Sequence, residues 1–278
     1  MSDETDETVI TAITAITALF DIKRNKVDNH HLALKTMDDY LKWFKITLQL
    51  NCPMVIFTEE NIVPFIEENR PKTYQTKIVV QKLEEVPYYC YRKRINEVLN
   101  DGYYINKISD PKRIECNLPE YVIIQYSKLD WVSSIAKENP FNSKYFFWMD
   151  AGISRFFYDT NINKPFPSQN IINNLNNTNG KIIAQCRYDI NNIPINEDFI
   201  WTSKNVISGG LFGGSPEKIY FLAIEVKKIF ESMLSKNNVN NEQLAMGIVW
   251  KYYKHLFNLV VNKREWKSHL PLFKIMTI

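Results

Sequence analysis

The segment Lys144-Tyr145-Phe146-Phe147-Trp148-Met149-Asp150-Ala151-Gly152 decides how this chain is read. From Tyr145 to Met149 every residue is aromatic or apolar, so no wet face alternates with a dry one. A strand of that kind is buried on both sides, the situation of a central strand in a parallel sheet layered by helices. The run stops at an aspartate. A carboxylate placed straight after a buried strand costs solvation unless it faces a cleft or a partner. Asp150 therefore has two readings. It holds a hard cation such as Mn²⁺ or Mg²⁺ together with phosphate oxygens, or it caps the turn at Ala151-Gly152-Ile153.

Upstream, residues 8–20 are rich in β-branched side chains and carry a thrice-repeated Ile-Thr-Ala, which predicts a buried opening strand. Asp21-Ile22-Lys23-Arg24 follows as a polar loop at its carboxyl end. Met37, Leu41, Phe44 and Leu48 recur at helical spacing, and Pro53 is expected to stop that helix. Residues 54–57 and 77–80 read as short strands. Residues 59–68 read as a helix broken near its middle by Pro64. Residues 91–99 form a helix closed by Asn100-Asp101-Gly102, and residues 121–137 form another with Ile124, Leu129, Val132 and Ile135 inward.

Downstream, the Asn-rich residues 160–179 read as a surface loop or insertion. Residues 181–186 are a strand. Residues 206–214 hold four of the eight glycines. Ser215-Pro216-Glu217 opens a long helix to about Leu234. A helix over 241–253, a strand over 255–261 and a polar tail complete the chain. Strands alternating with helices give an α/β sheet covered on both faces. In such sheets ligands bind beyond the carboxyl ends of the strands. Asp21, Arg24, Thr58, Glu59 and Asp150 stand there.

The composition bounds the function. The chain has 278 residues, of which 45% are hydrophobic and 23% charged, enough for a sizeable core. One α/β domain over residues 8–278 is expected, preceded by a disordered acidic terminus over 1–7. Net charge is +3, too near neutral for a dedicated nucleic-acid binder. The densest basic cluster, Arg92-Lys93-Arg94, reads as a solvated helix face. Cys52, Cys90, Cys116 and Cys186 show no metal-ligand spacing and fit a reducing compartment. No apolar stretch reaches membrane-spanning length, and the acidic start is the wrong sign for a secretory signal. A cytoplasmic protein is expected.

The glycine cluster is neither a P-loop nor a dinucleotide fingerprint. Gly209 and Gly210 either admit a ligand close to the backbone or make a tight turn. Asn241-Glu242-Gln243 starts a helix and is either functional or an ordinary polar first turn. His269 is a candidate metal ligand or a surface histidine, and His30-His31 is a weaker candidate. No GxSxG nucleophile elbow is present, so acyl hydrolysis has no support.

Together these segments resemble a nucleotide-sugar glycosyltransferase of the GT-A type, in order and spacing, over nearly the whole length. More narrowly, the chain resembles the HtrL/YibB family of bacterial proteins. The carriers are Thr17 to Arg24, Tyr40 to Phe44, Lys128 with Asn139-Pro140-Phe141, and above all Trp148 to Ile153. The resemblance implies a GT-A-like, Rossmann-like fold with a mixed, mainly parallel sheet flanked by helices. It implies a sugar donor linked to a nucleotide, UDP ahead of GDP, and a glycan acceptor. Thr17, Phe20, Asp21, Arg24, Lys128, Asp150, Gly152, Gly209 and Gly210 are the implied donor contacts. Asp150 and His269 are the implied holders of Mn²⁺ or Mg²⁺. Glu242 and Asp189 are candidates for the base of an inverting transfer. Two departures stand out. Gly152 replaces the second carboxylate of the fold's Asp-x-Asp, and Lys23 stands where the family tends to have glycine. Gly152 keeps open a non-catalytic module that binds a glycan or a protein on a degenerate transferase fold, and the surplus of 37 aromatic residues keeps open an interaction protein that uses them at an interface, including in an oligomer.

Overall fold

Alternation along residues 145–149 sends Tyr145, Phe147 and Met149 into one apolar core and Phe146 and Trp148 into another. The strand that carries them, β4 (Ser143–Met149), is therefore dry on both faces. Each such side chain contributes ~1.5–3 kcal/mol by leaving water. A computed structural model of the chain describes residues 11–26, 35–157, 166–186, 190–261 and 271–277. Among these residues β4 is the fourth of seven strands in one sheet.

The other strands are β1 (Thr11–Leu19), β2 (Met54–Thr58), β3 (Thr76–Val80), β5 (Ile182–Cys186), β6 (Ile207–Gly214) and β7 (Phe257–Val261). Their order is β3-β2-β1-β4-β6-β5-β7. β1 runs parallel to β2 and to β4, β2 parallel to β3, and β5 parallel to β7. β6 is antiparallel to both β4 and β5. The central strand thus has a parallel neighbour on one side and an antiparallel one on the other, giving a mixed, mostly parallel α/β sheet.

Helices cover both faces. α3 (Arg92–Leu99), α4 (Gly102–Lys107), α5 (Pro119–Glu138), α7 (Pro216–Ser235) and α8 (Glu242–Tyr252) bury their apolar sides in the core that holds Phe146 and Trp148. α1 (Met37–Thr47), α2 (Val63–Asn69), α6 (Gln169–Asn177) and α9 (Pro271–Thr277) cover Tyr145, Phe147 and Met149. α5 and β4 are joined by a tight reversal. Asn139 and Asn142 both take left-handed backbone conformations, at φ 49° and 50°. The Asn139 amide clasps the strand start, accepting from Ser143 N at 2.7 Å and donating to Ser143 O at 3.1 Å. Asparagine tolerates that conformation better than most residues. The clasp fixes the register of α5 against β4.

Several expectations change. Residues 169–177 of the Asn-rich stretch form α6, not a loop; Ser168 caps it, and Ile171 and Leu175 are buried beneath it. Asparagines had masked two apolar positions four apart. Pro64 does not break a helix. It sits in the first turn of α2, where its missing N–H is harmless, after a separate 3-10 turn over Glu60–Ile62. α3 does end at Leu99, where Asp101 N donates to the Val98 carbonyl at 3.0 Å, but Asp101 also caps the next helix, α4, its side chain accepting from Tyr103 N at 2.9 Å. α1 ends at Thr47, with Leu48 as its C-cap, well before Pro53. The glycines of 209–214 lie within strand β6, not in a strand-to-helix turn. The acidic terminus 1–7, His30-His31, and most of the polar tail lie outside the described residues.

Candidate active site

The alternation that puts Phe146 and Trp148 on the α5 side carries on to Asp150. Its carboxylate accordingly meets α5. Lys128 Nζ lies 3.0 Å from Asp150 Oδ1 and 2.9 Å from Glu242 Oε1, and it donates to the Gly209 carbonyl at 3.2 Å. Trp148 Nε1 donates to the same Asp150 Oδ1 at 2.7 Å. Asp150 N donates to the Gly210 carbonyl at 2.9 Å, pinning the strand end to β6. Lys128 is buried and Glu242 is fully buried, whereas the Asp150 side chain is 32% exposed. One ammonium is thus shared between an inner and an outer carboxylate.

The electrostatics follow from that burial. Burial opposes the charge of Lys128, but Asp150 and Glu242 together outweigh it and raise its pKa above the usual lysine value. Glu242 is raised as well, first by burial and further by Asp150, against the pull of Lys128. Its Oε2 has no hydrogen-bond partner among the described residues. Glycine makes room for this arrangement. A Cβ on Gly209 would stand 2.0 Å from Glu242 Oε1, and one on Gly210 would stand 3.3 Å from Asp150 Oδ2.

Asp150 and Lys128 form one wall of a cavity beyond the carboxyl ends of β1 and β4, about 850 Å³ counting its open mouth. α5 supplies Tyr121, Ile124, Gln125 and Lys128, spaced i, i+3, i+4, i+7 along one face. The loop after β1 supplies Phe20, Asp21 and Arg24. Lys35, Tyr40 and Arg155 close the opposite side. Arg24 hydrogen-bonds Tyr40 Oη and lies over the Tyr121 ring, 5.0 Å from its centre. Arg155 lies over Trp43 at 5.3 Å, and its Nε is buried without a hydrogen-bond partner among the described residues. Lys35 is pushed down to about 8 by burial, then by Arg155 and Arg24, with Asp150 resisting.

Residues 11–275 match the family described as "Bacterial protein of unknown function (HtrL_YibB)". The chain belongs to the HtrL_YibB family. It is also similar to Protein HtrL of Escherichia coli strain K12, 27% identical over 279 residues that cover 93% of this chain and 91% of that protein. The segments matched include the whole sheet and every residue of the cavity wall.

Of the residues singled out by the HtrL_YibB resemblance, Phe20, Asp21, Arg24, Lys128, Asp150 and Gly152 line the cavity. Thr17 does not. It is buried in β1, with its hydroxyl lacking a partner among the described residues. Gly209 and Gly210 stand behind the wall, and the space above Gly209 is taken by Glu242, not by a ligand. Glu242 lies behind Lys128 and acts on the cavity through it. Asp189 and His269 lie outside the described residues. Lys35, Tyr40, Tyr121, Gln125 and Arg155 were not anticipated as site residues. The four-residue stripe on α5 could have revealed Tyr121 and Gln125, because tyrosine, glutamine and lysine at core spacing argue for a polar surface inside the fold.

Among the described residues no group of three His, Cys, Asp or Glu side chains is placed to hold a metal ion. Nor is any helix among them long and apolar enough to cross a membrane.

Proposed function

We propose that this chain is a glycosyltransferase of GT-A type that moves a sugar from a nucleotide-sugar, UDP-linked ahead of GDP-linked, to a glycan acceptor. The observation that carries the reading is the cavity: four cationic side chains, two carboxylates and aromatic rings gathered at the carboxyl ends of β1 and β4. Open α/β sheets bind ligands at that edge. Loss of a nucleoside diphosphate leaves negative charge on phosphate as the sugar acquires oxocarbenium character. Preorganised cations facing that charge lower the barrier. Arg24, Arg155 and Lys128 are held by aromatic stacking or ion pairing and need no reorganisation. Cys52, Cys90 and Cys116 carry free thiols, which fits a cytoplasmic site of action.

The test is a nucleotide-sugar panel read by thermal shift and by release of nucleoside diphosphate. A ligand that binds the native state alone raises its melting temperature. Stabilisation by one donor, with slow release of its diphosphate abolished in Asp150→Ala, is expected. A panel with no shift sinks the proposal. A second reading has its own motive. Asp150 Oδ1 already serves Trp148 and Lys128, as it would in a module that binds a glycan or protein without turnover. Donor binding with no release would favour it.

A further inference from the structure

We infer that the cavity binds a diphosphate without a divalent cation, with the phosphate charge met by Arg24, Lys35 and Arg155. The inference rests on the donor reading above and adds what holds the donor. A hard cation takes six or more oxygen ligands, usually including more than one carboxylate. The wall does not fit that need. Asp150 Oδ1 is occupied by an ammonium at 3.0 Å and an indole N–H at 2.7 Å, which leaves Oδ2. A side chain at position 152 would begin 3.2 Å from a Trp43 ring carbon and 3.3 Å from a Tyr40 ring carbon, so the second carboxylate of an Asp-x-Asp has aromatic rings where its stem belongs. Asp21, the other carboxylate of the wall, pairs with Lys23 and lies beside Glu59, which accepts from its backbone N–H.

Charge points the same way. Arg24, Lys35, Lys128 and Arg155 oppose Asp21 and Asp150 on the wall and Glu242 behind Lys128, an excess of 4 − 3 = 1 positive charge. A divalent cation entering it is repelled, and a diphosphate diester carrying two negative charges is attracted. Lys35 is depressed chiefly by burial, and Arg155 and Arg24 push it further down. The buried Arg155 Nε, a donor with no acceptor among the described residues, supplies a hydrogen bond that an anion can take. Guanidinium pairs suit phosphate oxygens better than any other side chain.

The experiment is calorimetric titration of the full chain with inorganic pyrophosphate and with UDP, first in EDTA and then in excess Mn²⁺. Binding in EDTA, weakened at least tenfold in Arg155→Gln and in Lys35→Gln and unchanged or weakened by Mn²⁺, is expected. Arg155→Lys should restore part of the loss, which a merely misfolded variant cannot do. Lys35→Gln, on a half-buried loop residue, guards against failure of the arginine variant to fold. Binding that requires Mn²⁺ overturns the inference and leaves the donor reading intact. Pyrophosphate binding in EDTA without UDP binding sustains the inference and sinks the donor reading. Absence of binding in every arm overturns both.

Discussion

Replacing Lys128 by methionine tests the shared ammonium directly. Methionine preserves most of the stem and its packing against Trp148 while deleting the charge. What remains is Glu242, fully buried, and Asp150, one-third exposed, facing each other with no cation between them. Removing one partner of a buried ion pair costs ~3–5 kcal/mol, because the surviving charge is left uncompensated. Asp150 can turn toward water, so Glu242 dominates that cost. In a chain of this size each kcal/mol moves the melting temperature by ~2 °C. Lys128→Met should therefore melt ~6–10 °C early. Glu242→Gln in the same chain removes the stranded charge and keeps the volume. The double variant Lys128→Met/Glu242→Gln should recover to within ~1–2 kcal/mol of the parent, since apolar or neutral replacements of a whole buried pair are tolerated. Urea unfolding of the parent, both single variants and the double closes the cycle. Additive losses, or a Lys128→Met shift under ~2 °C, would refute a shared buried charge, because neither is compatible with Glu242 depending on Lys128.

Gly209→Ala puts a Cβ 2.0 Å from Glu242 Oε1 and should cost ~1–3 kcal/mol, whereas Gly102→Ala, whose Cβ meets no described atom within 4 Å, should be neutral or stabilise by ~0.4–1 kcal/mol; chemical denaturation compares them. The raised Glu242 means that the native state keeps a proton the unfolded chain has lost, so stability should fall as pH rises from the ordinary carboxylate value of 4.5 toward the raised one, and Glu242→Gln should flatten that slope in pH-dependent melting. Lys35 runs the other way: with its pKa down to about 8 in the fold against 10.5 outside it, stability should rise with pH between those values. Its charge serves anion binding only below about pH 8, so calorimetric affinity for a nucleotide-sugar should drop toward tenfold per unit above that value, and Lys35→Gln should abolish the dependence.

The sheet was legible because its signal is chemical monotony. Five consecutive apolar residues at 145–149 leave β4 no wet face, β2 is as unbroken over 54–57, and β1 and β5 are buried with only Thr14, Thr17 and Gln185 as polar interruptions. The residues after β1 and β4 were legible for the same reason, as charges appearing where burial ends. α6 was hidden because six of its nine residues are polar and its two buried positions carry the whole tertiary signal. The antiparallel insertion of β6 between β4 and β5 was also invisible, since strand order depends on contacts far apart in sequence. Its glycines looked like a place for a ligand. They are spaces for Glu242, Asp150 and Phe147, and only the pairing of β6 with β4 and the packing of α8 on β6 bring those side chains over them.

That pairing explains why Glu242 reads ambiguously in one dimension. Asn241 is an ordinary helix cap, accepting from Leu244 N at 3.0 Å, and the glutamate after it sits in the first turn, where the helix dipole favours an anion. Surface chemistry alone accounts for both residues. In the fold, however, α8 points this first turn at β6, and the absent side chain of Gly209 lets Glu242 pass to Lys128. The carboxylate is thereby removed from water and committed to one ammonium. A residue so placed controls the charge and position of Lys128 at the cavity wall without touching what lies inside. Its deletion should alter the cavity through Lys128, so Glu242→Gln and Lys128→Met should shift diphosphate affinity in a non-additive way, whereas a glutamate that contacted an acceptor directly would leave diphosphate affinity unmoved.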